Sequence, residues 1–417
     1  MNILVVSQYF WPENFRINDL VREWTRQGHR VTVLTGRPNY PGGVVFADFL
    51  REPANFAHYE GASVHRVPML ARANGSLRLV LNYLSFALSA CLTGPWKLRR
   101  LRPDVIFVFE PSPVTVGLPA VLLGRLKRCP VVFWALDLWP ETLAAVGVVK
   151  HPGALMMVGR LVRFIYNRCT LVLGQSRSFL PSIARHCDDP GKVRYFPSWA
   201  EDVFQDPTAA PAPEIPPAPG TFNVLFAGNV GDAQDFPAIL DAAERLKHRR
   251  DIRWLIVGDG RRSAWVADQV RTRGLHDQVL QLGRFPVERM PSFYAHADAL
   301  LVTLKKDPTF SMTIPGKVQS YLAAGRPILG MLDGEGADVI SRAEAGLVCQ
   351  AGDGAALADT LTRFAALPVD ERQRMGARGQ AYARAEFDRQ TLMSRLHALL
   401  EEACSLHRQR VHAKGRT

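Results

Sequence analysis

Three lysines gather around one short stretch of the chain. Lys305 and Lys306 follow the apolar run Leu300 to Thr303, and Lys317 stands beside Pro315 and Gly316. Proline and glycine just ahead of Val318-Gln319-Ser320-Tyr321-Leu322 mark a helix start. Ammonium groups at such an end suit a departing diphosphate, because the side chains and the helix terminus are both positive. A solvated charged loop is the other reading. Two glycine-bearing loops share this position after an apolar run: Gly228-Asn229-Val230-Gly231 after Phe226-Ala227, and Gly258-Asp259-Gly260 after Val257. Glycines let backbone amides approach a phosphate closely, and loops that only turn the chain have the same composition. Asp137 follows the run Val131 to Trp134. It is either a carboxylate that orients an attacking hydroxyl or the N-cap of a helix starting at Leu-Trp-Pro-Glu. Glu110, ahead of Pro111-Ser112-Pro113, and Glu141 are further carboxylates near strand ends.

Other chemistries lack their residues. There is no Gly-Lys-Ser or Gly-Lys-Thr and no Gly-x-Gly-x-x-Gly, which argues against a P-loop ATPase and an ordinary NAD enzyme. The six cysteines stand far apart with no Cys-x-x-Cys pair, so a zinc ribbon or a dense disulfide framework is not expected. A reducing, cytosolic compartment fits that usage. His29, His65 and His186 have no partner at ligand spacing, and no metal site is expected.

The elements that must position these residues alternate. Ile3 to Val6, a helical face at Leu20, Val21 and Trp24, Gly28-His29 as its stop, and Val31 to Leu34 form a βαβ unit. Apolar runs at Val105 to Phe109, Val131 to Trp134 and Leu171 to Leu173 continue it. Six prolines between Pro207 and Pro219 interrupt the pattern, and this segment reads as an extended linker. The alternation restarts at Val224 to Ala227 and runs through Trp254 to Val257, Val279 to Leu282, Leu300 to Thr303 and Ile328 to Leu332. With 417 residues, two parallel-sheet α/β domains are expected, with ligands outside the carboxyl ends of the strands. Arg389 to Ala403 reads as a last amphipathic helix, and the basic tail after it as frayed. Met1-Asn2 leads directly into the first strand, without the basic region and long apolar core of a signal peptide.

The formal net charge is +12, which points to anionic partners. Between Arg66 and Arg128 ten Lys or Arg residues face only Asp104 and Glu110. They flank the apolar stretch Leu77 to Trp96, which Arg78, Asn82, Ser85, Ser89 and Thr93 interrupt and Pro95 ends. A helix lying in a membrane interface suits this pattern better than a spanning one. A buried domain helix with surface arginines is the alternative. A nucleic-acid-binding protein would interleave basic and aromatic residues, whereas here the basic excess borders aliphatic runs, so nucleic acid is not an expected partner.

Several stretches together resemble a known family. These are Gln8 to Asn18 (QYFWPENFRIN), Gly28 to Thr35, Pro38 to Gly43, Asp137-Leu138-Trp139-Pro140-Glu141, Phe226 to Gly231, and Pro315 to Pro327. In this order they resemble the family 4 glycosyltransferases, in the WbuB-like branch with N-acetyl-L-fucosamine and colanic-acid-type transferases. The resemblance implies a GT-B fold, two Rossmann-like doubly wound domains facing a central cleft, with the last helix crossing back to the N-terminal domain. The boundaries read as 1–203 for the N-terminal acceptor-side domain, 204–220 for the linker and 221–388 for the nucleotide-sugar domain. Residues 389–404 form the crossover helix and 405–417 the tail.

The resemblance implies transfer, with retention, from a UDP- or GDP-type nucleotide sugar to a polyprenyl-diphosphate-linked saccharide. That is a step in exopolysaccharide or O-antigen assembly, on the cytoplasmic face of the plasma membrane. No Asp-x-Asp is present, so a metal-dependent GT-A enzyme is not expected. Asp137, Lys305 and Lys317 are then the catalytic candidates. Arg16, Gly228, Asn229, Val230, Gly231, Gly258, Asp259, Lys306 and Ser320 are expected on the donor, and Asn14, Glu110 and Glu141 on the acceptor side. The family's pair of glutamates eight positions apart falls here on Met312 and Ser320, and its Arg and Lys after the first C-domain strand on Asn229 and Asp235. The three lysines would have to replace that charge. A GT-B epimerase or hydrolase and an inactive scaffold are the alternatives.

Overall fold

The computed structural model describes residues 1–40, 42–72, 76–145, 151–205 and 209–414. Pro41 of the Pro38 to Gly43 stretch, residues 206–208 of the expected linker and the last three residues lie outside these.

The chain forms two compact units, Met1–Phe196 with the stretch from Met393 onward, and Pro197–Leu392. The first carries strands β1 (Asn2–Val6), β2 (Arg30–Thr35), β3 (His58–Tyr59), β4 (Ala62–Arg66), β5 (Val105–Glu110), β6 (Val131–Ala135), β7 (Leu171–Gly174) and β8 (Val193–Tyr195). They lie in the order β3-β4-β2-β1-β5-β6-β7-β8, parallel except for the β3/β4 pair. Val105, Ile106, Phe107 and Val108 are all fully buried, because a central parallel strand is covered on both faces. Helix Arg16–Arg26 turns Ile17, Leu20, Val21 and Trp24 inward. It stops where Gly28 takes a φ of +82°, a left-handed conformation that suits glycine.

The second unit carries β9 (Phe222–Ala227), β10 (Ile252–Val257), β11 (Val279–Gly283), β12 (Ala299–Thr303), β13 (Ile328–Met331) and β14 (Gly346–Cys349). Their order is β11-β10-β9-β12-β13-β14, all parallel. Alternate residues feed two cores. Val224 and Phe226 point into one, Leu225 and Ala227 into the other.

Three expectations need correction. The proline-rich segment does not behave as an extended linker. Phe204, Ala212 and Ile215 are buried in a core of the second unit. The Ala212 amide donates to Ser292 O (3.0 Å) and Arg253 Nη1 to Pro216 O (2.7 Å). Prolines have no N–H to satisfy, so such a stretch lies against a domain with few backbone partners. The second unit begins at Pro197 rather than at 221, and Gln319 Nε2 donates to Ser198 O there (2.9 Å). Among the described residues the expected frayed tail is helical: the last helix runs Arg389–Lys414. From Met393 it packs in the first unit, where Glu402 pairs with Arg194 (2.6 Å) and the His407 ring lies 2.9 Å from Arg128 O.

Candidate active site

In the second unit, β9, β10 and β12 end side by side, so the loops after them share one end of the sheet. Gly228 and Gly258 leave their strands with φ of +138° and +139°. The loops touch backbone to backbone: a Cβ on Gly258 would lie 1.8 Å from Gly228 O, and one on Gly260 2.4 Å from Val230 O. The amides of Gly228, Val230 and Gly258 donate to Val257 O, Asp259 O and Gly283 O at 2.8, 3.0 and 2.7 Å. These three expected phosphate donors are thus spent on binding neighbouring chain. The glycines serve close approach of the two loops. Replacing Gly258 by alanine should destabilise the protein by about 3 kcal/mol or more, from both the clash and the positive φ. A thermal melt measures it, and an unchanged midpoint would contradict this packing.

The exposed Asn229 side chain lies over Gly231 and Gly260, 2.4 Å and 2.6 Å from where a Cβ would sit on each. Asp259 is also turned to the loop. Its Oδ1 accepts from the Gly260 amide (2.7 Å), and the Ser263 hydroxyl, then that amide, hold its pKa below the usual range.

Lys317 is where the sequence places it, in the first turn of helix Gly316–Ala323. Its Nζ donates to Gln234 Oε1 (2.7 Å), sits 4.5 Å from the Phe226 ring centre and passes under Gly228. Desolvation brings its pKa down to about 8. Thr303 Oγ1 donates to Gln234 O (2.5 Å), and the Tyr321 hydroxyl bonds both the amide and the carbonyl of Ala227, fixing the loop. Lys305 joins this end: its amide donates to Ala233 O (2.9 Å). The Arg262 hydrogen bond first, and the Lys305 charge to a smaller degree, lower the pKa of Asp232, whereas desolvation raises that of Asp235 against the pull of Lys305.

Lys306 is not brought to Lys317. It is exposed and lines a separate depression with Gly352, Asp353 and Asp241. Adjacent residues of an extended segment point to opposite sides, so Lys305 and Lys306 had to part. Ser320 is buried, and its hydroxyl donates to Gly316 O in its own helix (3.1 Å). Sequence reasoning missed Gln234 and Phe226, the two groups that seat Lys317.

In the first unit, a cavity of about 310 Å³ opens beyond the ends of β1, β5 and β6. Tyr9, Phe15, Tyr40, Tyr83 and Trp139 wall it, and Arg72 and Asp137 supply charge. Glu13 holds the backbone at Tyr40: its carboxylate accepts amides from Phe10 (3.2 Å), Asn39 (2.8 Å) and Tyr40 (2.7 Å), tying the β1 loop to the β2 loop. Arg72 stacks on Tyr40, with its Cζ 5.5 Å from the ring centre.

Asp137 Oδ1 accepts from the Thr142 hydroxyl (2.8 Å). Desolvation raises its pKa to about 6, against the smaller pull of that hydroxyl and the Leu138 amide. Glu110, at the end of β5, is fully buried. Desolvation first, then the Asp137 charge, lift its pKa well above the usual carboxylate range. Glu141 does not line this cavity; it starts the short helix Glu141–Ala145, 3.8 Å from Arg185. Asn14 is exposed in the loop after β1, and Arg16 opens the first helix. The aromatic wall was missed because its rings come from separate segments; Trp139 and Tyr9 lie inside the stretches that carry the family resemblance.

Two parallel-sheet α/β units, one with lysines at glycine loops and one with a carboxylate in an aromatic cavity, suit a group-transferring enzyme of the GT-B type. Comparison with known proteins agrees. The glycosyl transferase 4-like domain matches residues 14–199 and glycosyl transferases group 1 matches residues 221–366. The chain belongs to the family 4 glycosyltransferases.

It is 25% identical over 343 residues to WcaI of Escherichia coli K12, a protein named as a colanic acid biosynthesis glycosyl transferase. That match covers 78% of this chain and 82% of the relative. It is 26% identical to a 2-deoxystreptamine glucosyltransferase of Streptomyces kanamyceticus, over 70% of this chain and 75% of that one. Among solved structures, sucrose-phosphate synthase of Thermosynechococcus elongatus superposes with a TM-score of 0.71 at 14% identity, covering 96% of this chain and 99% of that one. HepE of Anabaena, solved with UDP and glucose, gives 0.67 at 15% identity, with coverage of 96% and 99%.

Proposed function

We propose that this glycosyltransferase moves a sugar from a UDP- or GDP-type donor, with retention, to a saccharide carried on a polyprenyl diphosphate. The product would be a growing bacterial surface polysaccharide, exopolysaccharide or O-antigen, and the enzyme would work peripherally on the cytoplasmic face of the plasma membrane. The supporting observation is Lys317, a desolvated ammonium held at the mouth of the glycine loops by Gln234. The likeness to a colanic acid transferase supports the polysaccharide context.

As the glycosidic bond to the diphosphate breaks, charge grows on the leaving phosphate and the sugar becomes oxocarbenium-like. Lys317 and Lys305 stabilise that charge without reorganising, which lowers the barrier. The acceptor hydroxyl then adds to the same face, giving up its proton to the departing phosphate oxygen. Asp137 orients the hydroxyl in the aromatic cavity, whose ring faces suit the apolar faces of a sugar. The lysines take the role a metal would otherwise have. Turnover should therefore survive a chelator, and a strict requirement for added divalent ion would refute this part.

Thermal melts with UDP-, GDP- and dTDP-sugars, followed by turnover onto a lipid-linked saccharide, test the whole reading. A donor that raises the melting midpoint and is transferred supports it. Release of free sugar with acceptor present would favour the hydrolase alternative, and no shift with any sugar nucleotide would sink both.

A further inference from the structure

Helix Ser76–Lys97 has two unlike sides. Asn82, Phe86, Ala87 and Ala90 are buried against the first unit. On the other side Leu84, Leu88, Leu92 and Trp96 form a stripe at four-residue spacing, with exposures of 51, 62, 71 and 67%. Helix Pro152–Arg168 adds exposed Met156, Met157 and Phe164, and helix Gly117–Lys127 adds Leu126. Cys91, Leu118, Val121, Leu122 and Phe164 of these three helices line one groove of about 560 Å³, which joins the three helices beside the stripe.

Cations ring that face. Arg125 and Arg168 edge the groove, and Lys97, Arg99, Arg100 and Arg102 follow the stripe. Two arginines stack on its aromatic rings: Arg99 Cζ lies 4.9 Å from the Trp96 ring centre and Arg168 Cζ 3.7 Å from that of Phe164. Exposed leucines beside arginines, with rings at the border, complement the hydrocarbon edge and anionic headgroups of a bilayer. The buried side holds Asn82, whose Oδ1 accepts from Gln8 Nε2 (2.8 Å) and whose Nδ2 donates to Leu70 O (2.5 Å). That side is committed to protein, so the helix lies along a membrane surface instead of crossing it.

We infer that this three-helix face docks flat on an anionic phospholipid bilayer, the stripe entering the acyl boundary and the groove taking up a lipid chain. Leu79 and Tyr83 of the same helix wall the aromatic cavity. Docking therefore sets the acceptor cavity at the headgroup level, where the sugar of a lipid-linked saccharide resides. The purpose, though not the docking, rests on the function proposed above.

Flotation of the full chain with phosphatidylcholine vesicles, with and without phosphatidylglycerol, tests it. The protein should float with the anionic vesicles, be released by high salt, and bind neutral ones at least tenfold more weakly. L88D/L92D should lose flotation while UDP shifts its melting midpoint as in wild type; flotation equal to wild type overturns the inference. Brominated lipid should quench the wild-type fluorescence more than that of W96F, a check independent of the charged variant, and equal quenching overturns it too. Resistance to alkaline carbonate extraction would mean a spanning helix, and a soluble oligomer that does not float would mean a second copy covers the face; either overturns it. Should UDP fail to shift the wild type while flotation holds, the donor reading falls and the docking stands.

Discussion

Replacing Lys317 by alanine lowers turnover by about 10²- to 10³-fold and weakens UDP binding, the largest loss expected from any single donor-side change. The side chain is surrounded by Phe226, Gln234 and Gly228, so no other cation can take its place without rebuilding the loop. Its pKa of about 8 fixes the sign of the pH effect. An arriving diphosphate favours the charged form, so binding near pH 8 takes up a proton, and UDP affinity falls as pH rises through that range. Calorimetry in buffers of different ionisation enthalpy reads the proton uptake directly. A variant that turns over normally would remove Lys317 from the mechanism.

Asp137 to asparagine should cut turnover by about 10²- to 10⁴-fold with the UDP-induced melting shift intact, because the change is confined to the aromatic cavity of the first unit. Asparagine keeps the size and accepts the Thr142 hydroxyl but cannot be ionised. The wild-type rate should rise through a pKa of about 6 as Asp137 loses its proton, and the variant should lose that limb. The elevation also affects folding. The folded state holds this proton more tightly than the unfolded chain, so the stability it adds is complete below the ordinary carboxylate range and lost as pH rises through about 6. A variant whose rate keeps the same acid limb would assign that limb elsewhere.

Strands were legible because buried parallel strands are short unbroken aliphatic runs, as Val105 to Phe109 and Val224 to Ala227 are. Lys317 was legible because proline and glycine announce a helix start. Local pattern says nothing of what a backbone amide faces, so the use of the Gly228, Val230 and Gly258 amides by neighbouring chain could not be read. It also could not separate Lys305 from Lys306, a matter of which side of one loop each side chain takes. The aromatic cavity escaped for a different reason. Tyr9, Tyr40, Tyr83 and Trp139 have no common period, and only the sheet order, which sets β1 between β2 and β5, brings them together. The proline-rich segment misled because so few anchors, Ala212 and Ile215, suffice to hold a stretch that needs few amide partners.

The last helix returns to a unit whose other residues were all laid down before position 197. Until Leu396, Leu400 and Ala403 emerge from the ribosome, the first-made half has nothing to cover the surface they bury. Its completion waits on synthesis of the entire second half, and an N-terminal fragment expressed alone would be sticky and short-lived. The two halves thus mature together.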